Sequence, residues 1–129
     1  MSEVKIAFLG ATDTVTGSRF LVYSQQSKIL VDCGLFQGVK SVQRRNWDPL
    51  SVDAKEIDAV VLTHAHLDHC GNVPKLVKDG FRGKIHTTEF TAKLAEVRLE
   101  LNRGQMEQDN AYRRLAMVTG AATSDFAGV

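Results

Sequence analysis

His64, His66, Asp68 and His69 fall within the single run Thr63-His64-Ala65-His66-Leu67-Asp68-His69. Imidazole and carboxylate together suit zinc and similar borderline cations. His64 and His66 are two residues apart, so in extended backbone they project from the same side. Asp68 and His69 follow where the chain is expected to turn into a helix, and there they can aim at a second point nearby. One short loop thus supplies half-sets of ligands for two adjacent metal ions. A dinuclear hydrolase needs this arrangement, because two ions activate a water and neutralise the leaving oxygen.

The elements around the loop are legible from periodicity. Ala59-Val60-Val61-Leu62, just before the loop, is apolar on consecutive residues, as expected of a strand covered on both faces. Val4, Ile6 and Phe8 alternate with Lys5 and Ala7, the period-two pattern of an early strand. Arg19 to Tyr23 and Lys28 to Val31 read as a hairpin around Ser24-Gln25-Gln26-Ser27. Residues 35 to 52 are less regular, and Pro49 ends any helix formed by Val39 to Asn46. Pro74 fits the first turn of a helix and Gly80 its C-terminal cap, which predicts a short helix over Val73 to Asp79. Lys84 to Thr87 reads as another strand. Thr88 then caps a longer helix in which Phe90, Leu94, Val97 and Leu101 share one face. Residues 116–129 are expected to form a frayed tail.

Composition bounds the class. With 129 residues, 43% hydrophobic and 24% charged, the chain is expected to build one core, burying roughly 65% of its unfolded surface. There is no apolar run of about 18 residues and no signal-peptide pattern. Cys33 and Cys70 make no CxxC pair and fit a reducing compartment, so a cytoplasmic location is expected. The formal net charge of +1 gives no electrostatic reason to expect a nucleic-acid partner.

Other residues have two readings each. Gly10 to Ser18 follows a strand, but it lacks the spacing and the Lys-Ser/Thr ending of a phosphate loop. Asp32, taken alone, reads as a turn-capping residue at a strand end. Cys70, next to His69, reads either as a soft ligand or, the preferred reading, as a small apolar side chain under a helix start; His86 reads as a packing or surface residue, and Trp47 as a packing anchor. Lys40, Arg44 and Arg45 form a basic cluster that fits either a phosphate contact or an exposed helix face.

The run at 63–69 resembles the signature of the metallo-β-lactamase fold hydrolases. Phe8-Leu9-Gly10-Ala11 with Val15-Thr16-Gly17-Ser18 resembles the RNA-processing, β-CASP branch of that family. Ile29-Leu30-Val31-Asp32-Cys33-Gly34-Leu35-Phe36-Gln37-Gly38 is similar to that branch's next motif, and Arg45-Asn46-Trp47 and Ile57 to Leu62 continue the likeness. It covers roughly residues 4–115. It implies an α/β fold, the mixed αβ/βα sandwich of the metallo-β-lactamase type, here an incomplete N-terminal half-sandwich over residues 1–129. It also implies two zinc ions, with metal ligands His64, His66, Asp68 and His69. Asp68 and Asp32 become the catalytic residues, Asp32 by orienting the metal loop or its water. RNA is the implied partner, and phosphodiester hydrolysis the implied reaction.

The chain also departs from the family. Family sites are finished by a histidine, a bridging aspartate and another histidine far downstream, whereas His86 is the only further histidine here. One expectation is therefore a truncated, inactive metal-binding fragment that self-associates through an exposed sheet, with Ile6, Phe8, Val60 and Leu62 at risk of exposure. A thioesterase or glyoxalase-type hydrolase is the other alternative. The Val-Thr-Gly-Ser and Asp-Cys-Gly-Leu-Phe-Gln-Gly segments argue against it.

Overall fold

A computed structural model describes residues 3–101. Five short strands form one mixed sheet in the order β1-β2-β3-β4-β5. They are β1 Lys5–Phe8, β2 Phe20–Tyr23, β3 Lys28–Val31, β4 Ala59–Val61 and β5 Lys84–His86. The first three pair antiparallel and the last three parallel. The expected hairpin is β2–β3. Its turn is closed by Ser24 Oγ, which accepts from the backbone N–H groups of Gln26 and Ser27.

A parallel return needs a crossover, and the chain makes two. Between β3 and β4 lie α1, Lys40–Gln43, and two short 3-10 turns at Arg44–Trp47 and Ala54–Glu56. Between β4 and β5 lie α2, Leu67–Cys70, and α3, Val73–Lys78. Pro74 sits in the first turn of α3, and Gly80 follows it with φ +119°. Helix α4 spans Glu89–Leu101, and Thr88 Oγ1 accepts from the Thr91 N–H as the expected cap.

Register decides which side chains meet. Leu21, Leu30, Val60 and Ile85 line up across neighbouring strands on one face, and all four are buried in the core. Burying each contributes roughly 1.5–3 kcal/mol. Cys70, Val73, Leu76, Val77 and Phe81 from α2, α3 and the following loop complete this core. The opposite face carries the rows Ile6, Val22, Ile29, Ala59 and Phe8, Phe20, Val31, Val61. Ile6, Phe8 and Val61 are exposed there. Among the described residues the sheet is thus a half-sandwich, with its helices on one side.

Three expectations are corrected. The strand at Ala59–Val61 was expected to be covered on both faces and to leave Val60 at risk. Instead Val60 and Leu62 are buried and Val61 is exposed, because only alternate residues meet the helices. In α4 the inward face is Ala92, Ala95 and Leu99, while Phe90, Val97 and Leu101 point outward. Small alanine side chains let that helix approach the core closely, and this overrides the stripe of larger residues. Trp47 is 51% exposed and anchors little. Its neighbour Asn46 is the buried anchor: Oδ1 accepts from the Phe36 N–H and Nδ2 donates to the Phe36 carbonyl. The tail expected at 116–129 lies outside the described residues.

Candidate metal centre

The loop carrying His64, His66, Asp68 and His69 leaves the C-terminal end of β4 and enters α2, the position where parallel sheets gather functional groups. It is tied to the segment after β3 by backbone hydrogen bonds. The Cys33 N–H donates to the His69 carbonyl at 2.8 Å, and the Leu35 N–H donates to the Leu67 carbonyl at 2.9 Å. Ser18 N–H donates to the Asp68 carbonyl at 2.9 Å. So the Gly10–Ser18 loop, which resembled a phosphate loop in outline, instead braces the histidine loop.

The three imidazoles of the loop lie near one another, and the shorter contact, His64 with His69, crosses the two half-sets expected from the spacing. The His64 and His66 rings lie 4.8 Å apart by centroid, and those of His64 and His69 lie 4.0 Å apart. Asp68 Oδ2 is 3.5 Å from His69 Nε2. His86 lies apart from this loop in sequence and occupies β5 opposite Val61.

Asp32 organises the group. It is buried, with a left-handed φ of +62° that aspartate tolerates better than most residues. Its Oδ2 accepts from His69 Nδ1 at 2.7 Å. Oδ1 accepts from the Thr63 N–H at 2.8 Å, and the Thr63 hydroxyl donates to the same carboxylate. That hydroxyl has one proton, so its 2.9 Å contact with His64 Nδ1 must be donated by the imidazole. Both His64 and His69 therefore donate through Nδ1 in this network, and Nε2 is the ring nitrogen each can offer to a ligand. Burial, then the neighbouring His69 and His66 imidazoles, holds the His64 pKa below 6.5 and favours the neutral ring.

A divalent ion fits the chemistry of this donor set. Two ligands of one tetrahedral zinc-like ion stand about 3.4 Å apart, close to the Asp68–His69 separation. The set is partial, however. Among the described residues, no three His, Cys, Asp or Glu side chains are arranged to hold an ion. Cys70 is no ligand: it is fully buried, and burial pushes its thiol up to about 12. Cys33, beside Asp32 in sequence, is likewise buried and pushed up to about 11.

Residues 13–112 match the family described as Metallo-beta-lactamase superfamily. The chain belongs to that superfamily. Its sequence relatives bear names drawn from RNA metabolism, in agreement with the branch the motifs resembled. A ribonuclease of Thermus thermophilus is 46% identical over 97 residues, covering 75% of this chain and 22% of that protein. The transcription termination factor FttA of Cenarchaeum symbiosum is 43% identical, covering 70% of this chain and 14% of that protein. The Drosophila melanogaster cleavage and polyadenylation specificity factor 73 is 35% identical, covering 68% of this chain and 13% of that protein. The chain thus spans less than a quarter of the length of these relatives.

Among solved structures, a metallo-beta-lactamase from Cronobacter sakazakii with a HARLDQ motif superposes with TM-score 0.50. It is 26% identical and covers 68% of this chain and 30% of that one. Among the described residues, no helix is long and apolar enough to cross a membrane.

Proposed function

We propose that this chain carries the metal-binding part of a zinc-dependent hydrolase of RNA phosphodiesters, working in messenger RNA processing or turnover in the cytoplasm. The observation that carries the reading is the network from one carboxylate, Asp32, to Thr63, His64 and His69. Such partners fix the tautomer of a ligating imidazole and raise its basicity. His64 and His66 would hold one zinc, and Asp68 and His69 the other. Bound zinc supplies Lewis acidity and lowers the pKa of water into the neutral range. Asp32 orients the His69 ring directly and the His64 ring through Thr63, and its depth in the core holds that geometry without a flexible side chain. Asp68 presents a carboxylate at the mouth of the loop, beside His69, where it can orient a water. The names of the relatives supply the substrate class.

The two protein ligands per ion that the described residues would offer are expected to bind metal weakly. A chimaera tests the reading fairly: the matching segment of the Thermus thermophilus ribonuclease is replaced by residues 1–101 of this chain. The expected result is zinc-dependent cleavage of labelled single-stranded RNA, abolished by Asp68→Ala. A folded, zinc-loaded chimaera that leaves RNA intact would refute it.

A further inference from the structure

Arg19 is a buried charge that the metal loop does not use. It is only 4% exposed. Its Nε and Nη2 both donate to one acceptor, the Gly34 carbonyl, at 3.3 and 3.0 Å. Among the described residues no carboxylate lies within ion-pair distance of it. Burial lowers the pKa of this guanidinium, the Arg45 charge adds to that, and the Asp48 carboxylate, beyond ion-pair distance, offsets it only in part. Stacking on the Phe36 ring, 4.7 Å from its centroid, compensates only part of the burial cost.

The same ring carries a second guanidinium. Arg45 lies 4.3 Å from the Phe36 centroid, and its carboxylate partner among the described residues is Asp13, on the exposed surface at 3.2 Å. A solvent-facing pair of that kind is weak. Arg19, Phe36, Arg45, Asp48 and Ser51 all line one open cavity of about 280 Å³. Two arginines pinned by a common aromatic ring give planar, multi-donor recognition, which suits phosphate better than a single point charge does.

We propose that this cavity is a phosphate-binding subsite, in which Arg19 and Arg45 clamp a phosphate group and the Ser51 hydroxyl donates to it. The phosphate is either free or part of an RNA backbone; the chemistry recognised is the same. Asp48 lines the same cavity and works against an anion, so its carboxylate tunes the affinity downward. The proposal stands independently of the zinc-hydrolase reading, because none of these side chains belongs to the histidine loop.

The test uses the whole chain with excess chelator, which keeps the histidine loop free of metal. Arginine Nε–H resonances are followed by NMR while inorganic phosphate, or a short single-stranded RNA, is titrated at constant ionic strength. The expected result is a saturable shift of the Arg19 and Arg45 signals. Arg45→Gln should weaken binding about tenfold, the loss of one charge-assisted contact. Asp48→Asn should strengthen it without loss of thermal stability. Tighter binding of the RNA would assign the subsite to the RNA backbone, and response to inorganic phosphate alone would assign it to the free ion. Unmoved arginine signals would overturn the proposal. So would an Asp48→Asn protein that is destabilised and binds phosphate no better, since Asp48 would then be the counter-ion of Arg19.

Discussion

A Cβ at Gly34 would stand 1.6 Å from the carbonyl oxygen of Asp68, so the metal loop packs directly on bare backbone. That contact lets the neighbouring Cys33 and Leu35 N–H groups reach the His69 and Leu67 carbonyls. Gly34→Ala must push the two segments apart and should cost roughly 3 kcal/mol or more. Gly38→Ala is the control: φ there is +114° but nothing lies within 4 Å, so about 1–2 kcal/mol of backbone strain is expected. Urea unfolding of both variants gives the comparison, and equal losses would show that the close approach is unimportant.

Asp32 should matter to metal binding although it need not touch the metal. Asp32→Asn keeps the side-chain shape but replaces one acceptor with an amide that cannot accept from His69 Nδ1 and Thr63 together. Zinc affinity should fall about 10- to 100-fold. Thr63→Val, which removes the hydroxyl between Asp32 and His64 but leaves the Asp32–His69 hydrogen bond, should fall less. Calorimetric titration checks the order, and an unchanged affinity in Asp32→Asn would remove this residue from the site.

Zinc bound by the chain itself should be lost to a mild chelator with little change in unfolding free energy, because a site with two protein ligands per ion is far from closed. Tight binding abolished by His64→Ala would mean that further ligands come from outside the described residues or from a second copy.

The metal-free protein should lose stability as pH falls. The folded pKa of His64 lies below its unfolded value of 6.5, so folding favours the neutral ring. That contribution is complete above pH 6.5 and disappears as pH drops through the folded value. Unfolding midpoints measured from pH 7.5 to 5 in chelator should decline, and His64→Gln should flatten the decline. A parallel decline in both proteins would assign the effect to other groups.

The uncovered sheet face should drive self-association. Ile6 and Phe8 are 57% and 64% exposed on adjacent rows of an apolar surface, and monomers rarely leave such patches bare. Sedimentation of the chain should show concentration-dependent oligomers, and the pair Ile6→Lys and Phe8→Lys should shift it toward monomer. A wild-type monomer at high concentration would contradict this.

The sequence by itself determined what is local. The strand at Lys5–Phe8, the β2–β3 hairpin, the Pro74 and Gly80 punctuation and the Thr88 cap each depend on a few neighbouring residues, and each stands where the pattern placed it. Tertiary structure decided everything that depends on a partner distant in the chain. Periodicity says that Val60 and Val61 face opposite ways; only the packing of α2 and α3 says which one is buried. The apolar stripe of α4 lost to Ala92 and Ala95 because close approach depends on what lies across the interface. Asp32 meets His69 across 37 residues of chain, and alone it read as a turn residue. Arg19 gave no local signal at all: its burial follows from the β3 extension folding over it, and a single arginine at a strand edge reads as solvated until that contact is made.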